Sequence, residues 1–90
     1  MVEKIKETLS DAKGSELASV VAFPSTADAF AFAHAAEGTG LTGRLIPVPR
    51  QLSSGCGIAW REPAEHRALI DDLLEGSDIV IEQIAELELR

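Results

Sequence analysis

The chain has 90 residues, of which 46% are hydrophobic and 4% aromatic, with no tyrosine, one cysteine and a formal net charge of −7. That length fills one domain whose core must be built from Ala, Val, Ile and Leu around a few phenylalanines (Phe23, Phe30, Phe32). A negative field repels phosphate backbones and anionic lipid, so nucleic acid and membrane surfaces are set aside as partners.

Residues 2–12 place Val2, Ile5, Leu9 and Ala12 at spacings of three and four, one narrow apolar stripe on a short helix that Gly14 stops. So short a helix is marginal alone; it docks, meets a partner or frays. Residues 1–16 therefore read as a helical extension and 17–90 as the domain proper. The N-terminus lacks the apolar run of a signal peptide. No stretch approaches the roughly 20 apolar residues that cross a bilayer. With a single cysteine no internal disulfide exists, and a cytoplasmic, reducing location is expected.

Leu17–Phe23 is an apolar run read as a buried strand, which Pro24 ends. Ser25 caps a helix with Asp28 in its first turn; it runs to Glu37 and stops at Gly38 and Gly40. Residues 43–48 read as a second strand. Pro47 lies inside it and cannot donate to a ladder, so this strand belongs at an edge. Residues 57–61 read as a third strand, and Pro63 opens a second helix carrying His66, Leu69, Ile70, Leu73 and Leu74, which Gly76 ends. Residues 79–89 alternate as a last strand. The order predicts an α+β domain, ferredoxin-like βαββαβ, with an antiparallel sheet in the order 4-1-3-2 and an extra N-terminal helix.

Chain direction in that fold places three features at one end of the sheet: Ser25–Thr26 at the first helix N-terminus, the loop Pro49–Cys56, and the turn 76–78. The helix N-terminus and Arg50, with Arg44 further along the edge strand, attract negative charge to the sulfur of Cys56. Gly55 and Gly57 leave that sulfur uncovered for another protein's reactive atom and permit unusual backbone angles. Ser53 and Ser54 supply hydroxyl donors. The same residues also read as an ordinary turn whose cysteine fills a small slot, and both readings stand at this point.

His34 and His66 are scattered and do not make a four-ligand centre with one cysteine, so no metal is expected. No phosphate-binding or hydrolase motif occurs, and no cofactor is expected. The acidic run from Glu62 to Glu75 reads as a solvated helix face, or as a docking face for a basic enzyme. Trp60 reads as a core or subunit contact.

The segments Ile46-Pro47-Val48-Pro49-Arg50 and Ser53-Ser54-Gly55-Cys56-Gly57, with Phe23-Pro24-Ser25-Thr26 and Asp28-Ala29, resemble the selenium/sulfur carrier protein-like family across residues 17–87. The resemblance implies sulfur or selenium carried on Cys56 as a persulfide or selenosulfide. Arg50 would be the charge partner and Gly55 and Gly57 the access residues. Donor and acceptor enzymes are the implied partners, and the protein would be a carrier rather than an independent enzyme. Where the family's first helix often has an acidic residue, this chain has Ala33.

Two other readings remain open. One is a ligand-binding or interaction module using the exposed sheet face, with Cys56 dispensable; a homodimer through that face or the leading helix belongs here. The other is redox sensing, in which an exposed thiol is oxidised against a second molecule.

Overall fold

The computed structural model describes residues 16–90. The leading helix expected over residues 2–12 lies outside them. Strand β1 (Glu16–Ala22) is followed by helix α1 (Thr26–Ala36) and strands β2 (Arg44–Pro47) and β3 (Ile58–Pro63). A single 3-10 turn (Ala64–His66) leads into helix α2 (Arg67–Glu75), and strand β4 (Gln83–Leu89) completes the sheet.

The apolar run in β1 makes it a central strand. It pairs antiparallel with β3 on one side and β4 on the other, Val21 standing opposite Trp60 and Ile84. The fully antiparallel sheet has the order β2-β3-β1-β4. β2 therefore lies at an edge, where the missing N–H of Pro47 costs no ladder bond.

Both helices lie on one face. Val21, Phe23 and Trp60 pack there against Ala29, Phe32 and Ala36 of α1 and Ile70 of α2. The ring of Phe32 sits between the other two aromatics, with centroids 5.4 Å from Phe23 and 5.3 Å, edge-on, from Trp60. Alanines at 29 and 36 let α1 approach the sheet closely. Phe30, expected in the core, is instead 56% exposed, because α1 buries the stripe 29, 32, 36 and residue 30 falls outside it. The other sheet face gathers Ala18, Val20 and Ala59 with Ile46, Val48, Leu52, Leu87 and Leu89.

Glu62 departs from its expected place on a solvated helix face. It is the penultimate residue of β3, and its side chain is fully buried. Its Oε1 accepts from Trp60 Nε1 (2.8 Å) and Gly43 N (2.9 Å); its Oε2 accepts from Thr42 N (2.8 Å) and lies 2.6 Å from His66 Nδ1. Burial opposes the charge, but the donors from Thr42, His66, Trp60 and Gly43 outweigh it and hold the carboxyl below its ordinary range. One carboxylate thus ties the α1–β2 connection to β3 and to the 3-10 turn. Gly43 is required here, since a Cβ on it would lie 1.9 Å from the Arg61 carbonyl oxygen.

The expected fold needs correction. The described chain is an α+β unit of four strands and two helices. It is not the predicted ferredoxin-like βαββαβ domain written in the order 4-1-3-2, and the extra N-terminal helix of that expectation lies outside the described residues. Counted from the β4 edge the neighbours read β4-β1-β3-β2, so the correction falls on the elements and their extents. Pro63 ends β3 rather than opening a helix, because it still stands opposite Ala18 in the ladder. The second helix is thereby cut to nine residues, and Ile70 is its one buried side chain. Residues 79–82 alternate like a strand but stay outside the sheet. β4 begins only at Gln83, opposite Ala22, where β1 ends.

Candidate functional site

Ten residues, Val48 to Gly57, connect β2 to β3. The connection closes at its base through Val48 N–H to the Gly57 carbonyl (3.0 Å) and turns through Leu52 N–H to the Pro49 carbonyl (3.0 Å). Gly57 takes φ +77°, a conformation that L side chains rarely adopt. Gly55 has a different reason to be glycine: a Cβ there would stand 2.5 Å from the Pro24 carbonyl oxygen. The cysteine loop is therefore pressed against the turn between β1 and α1.

Ser54 organises this loop. Its Oγ donates to the Phe23 carbonyl oxygen (2.7 Å), lies 3.3 Å from the Ile58 carbonyl oxygen, and accepts from the backbone N–H groups of Cys56 (3.3 Å) and Gly57 (3.2 Å). Cys56 is a free, half-buried thiol that packs against the helix-side core. Its Sγ lies within donating distance of the Phe23 carbonyl oxygen (3.5 Å) and the Ile58 carbonyl oxygen (3.7 Å), two acceptors for one S–H, and 3.6 Å from Ser54 Oγ. The sulfur is thus held near main-chain oxygens in a residue that is only half-buried, a middle case between the uncovered thiol and the filled slot expected from sequence.

Two further segments frame the loop. Ser25 caps α1 by accepting from Asp28 N–H (3.1 Å), and its hydroxyl donates to Asp28 Oδ2 (2.7 Å). Asp28 Oδ1 accepts from Val80 N–H (3.1 Å) in the α2–β4 connection. The Ser25 hydroxyl first, then the Val80 N–H, hold the Asp28 carboxyl below its ordinary value. Glu82 continues the same connection. Its N–H donates to the Ala22 carbonyl (2.7 Å), and its Oε1 accepts from Gly55 N–H (2.9 Å).

Of the residues singled out from sequence, Ser54, Gly55, Cys56 and Gly57 meet in one loop, against Phe23 and Pro24 just before Ser25. Thr26 opens α1 and is exposed. Ser53 and Arg50 are exposed, and among the described residues no hydrogen bond or ion pair joins either to Cys56. The groups the sequence did not reveal are the carbonyls of Phe23 and Ile58 and the carboxylate of Glu82. Main-chain acceptors leave no mark on a sequence, and Glu82 sat in an alternating pattern that read as ordinary strand. His34 is exposed, and His66 is committed to Glu62. No three His, Cys, Asp or Glu side chains among the described residues are placed to hold a metal ion. Nor is any helix there long and apolar enough to cross a membrane.

Fold and site together define a small α+β protein that presents its one thiol in a glycine-bounded loop between strands. The chain belongs to the family described as "Putative Se/S carrier protein-like", whose model matches residues 18–86 and so takes in the sheet, both helices and the whole cysteine loop. At the level of the family, sulfur or selenium carriage is the activity its description points to. No curated protein and no solved structure matches the chain.

Proposed function

We propose that the protein carries sulfur or selenium on Cys56 and passes it between a donor and an acceptor enzyme, without being an independent catalyst. The observation that supports this most is the placement of the chain's one thiol, half-exposed in a glycine-bounded loop, within a chain of this family.

The chemistry needs no oxidant. Cys56, as thiolate, attacks the outer sulfur of a donor persulfide. A new S–S bond forms at Cys56 Sγ, the donor's S–S bond breaks, and the donor cysteine leaves as thiolate. With a selenium donor the new bond is S–Se. Unloading is the same exchange with an acceptor thiol attacking the outer atom. Thiolate is the reacting species in each step.

In this reading Ser54 fixes the loop through its bonds to the Phe23 carbonyl and to two N–H groups. Gly55 and Gly57 keep side chains away from the approach to sulfur. Ser25 and Thr26 place a helix N-terminus at the same end. Arg50 and Ser53, both exposed on the outer loop, are suited to contact with the partner rather than with the resting thiol.

Protein re-isolated after incubation with a cysteine desulfurase and treated with cyanide should release one sulfur per chain as thiocyanate. Cys56→Ser should release none. Absence of thiocyanate from the wild type, or equal release from Cys56→Ser, would overturn the assignment.

A further inference from the structure

Among the described strands β4 pairs only with β1, which leaves the other side of its backbone without a described strand beside it. Unpaired N–H and C=O groups along a sheet edge are a template for an added strand. The two edges differ. β2 is four residues long and ends in Pro47, whose nitrogen cannot donate. β4 has seven residues, none of them Gly or Pro. At its C-terminal end Arg61 already donates to the carbonyls of Leu89 (3.4 Å) and Arg90 (2.8 Å), which leaves Gln83–Glu88 as the stretch open among the described residues.

Side chains along β4 sort by face. Ile84, Glu86 and Glu88 share the helix side, where Ile84 packs; Ala85, Leu87 and Leu89 share the other, where the two leucines pack. Glu86 takes the Ser19 hydroxyl (2.8 Å) and Arg67 (3.2 Å). Glu88 is exposed and has no partner among the described residues. A second copy paired antiparallel about the middle of β4 would set these carboxylates near one another, and like charges across a strand pair destabilise it. The edge is complementary instead to a strand that alternates positive charge with apolar groups.

We propose that the outer edge of β4 accepts, as a fifth strand, an extended segment of a partner protein in which basic residues alternate with apolar ones. Main-chain pairing supplies the attachment. The basic residues meet Glu86 and Glu88, and the apolar ones extend the surface of Ala85 and Leu87.

Isotope-labelled full-length protein titrated with a capped peptide alternating lysine and valine tests this. A peptide of the same composition with its lysines and valines in separate blocks is the control. The alternating peptide should shift the β4 amides and slow their exchange. Both the block peptide and the Glu88→Lys variant, a surface change, should weaken binding about fivefold or more. Unchanged β4 amides at saturating peptide would show an edge that its carboxylates merely protect. Equal binding of the two peptides, or of Glu88→Lys and wild type, would reduce the attraction to net charge. Either result overturns the proposal.

Discussion

Glu62 and Cys56 show how one residue's neighbours fix its role. A carboxylate is costly to bury unless its oxygens are fully used. Glu62 meets that condition with donors from Trp60, Thr42, Gly43 and His66. Glu62→Ala strands all of them in a buried pocket, and urea unfolding should show a loss of about 3 kcal/mol or more. Glu62→Gln keeps the shape but turns one acceptor into a donor facing donors, so it should also lose stability. The carboxyls of Glu62, Asp28 and Glu86 are all held below their ordinary values; for Glu86 the Ser19 hydroxyl is the main cause, followed by Arg67. Such groups stabilise the folded state above their unfolded pKa, and that contribution is lost as pH falls through the folded one. The urea midpoint, followed across pH, should therefore hold on descent from neutrality to the ordinary carboxylate range of about 4 and fall below it. None of this was legible at Glu62, which opened what looked like a solvated acidic run. Its partners come from positions 42, 43, 60 and 66, and only the folded chain brings them together. Cys56 was legible as exceptional because the glycines on either side have no side chains to cover it, but its carbonyl partners were not.

At the scale of elements, the loop from Val48 to Gly57 depends on its two glycines for different reasons, and the two substitutions should separate. Gly55→Ala drives a methyl into the Pro24 carbonyl, so it should displace the loop from β1 and change the alkylation rate of Cys56 along with the melting temperature. Gly57→Ala meets no atom within 4 Å and costs only the strain of φ +77°, about 1 kcal/mol, with little change in the loop's contact with Pro24. Alkylation and melting measured on both variants check the contrast; equal effects would contradict it. Strand β1, helix α1 with its Ser25 cap, and the edge position of Pro47 could be read in advance because each rests on local chemistry: an apolar run, a capping hydroxyl, a missing N–H. The start of α2 and the extent of β4 could not. Pro63 suits a helix's first turn and a strand's last residue equally well, and the ladder to Ala18 decides between them. The alternation of residues 79–82 satisfies a strand pattern, but β1 has no residues left to pair with them.

For the whole molecule, the order of elements pointed to an α+β unit, but the ferredoxin-like domain read from it needed correction, and the leading helix of that reading lies outside the described residues. The site was legible as a segment and not as an assembly. The sequence points to positions 50–57 but gives no hint that Glu82, from the far side of α2, holds Gly55. It also suggests that Arg50 attends the sulfur, where the fold leaves that side chain facing outward. The family match supplies the element of function that geometry alone cannot, since a half-buried thiol in a loop is compatible with many roles. The most direct test of the carrier reading is the intact mass of the chain after incubation with a cysteine desulfurase and, separately, a selenocysteine lyase. Wild type should gain one atom of sulfur or selenium, and Cys56→Ser should stay at its starting mass. Wild type unmodified by both donors, or Cys56→Ser loaded to the same extent, would contradict the account.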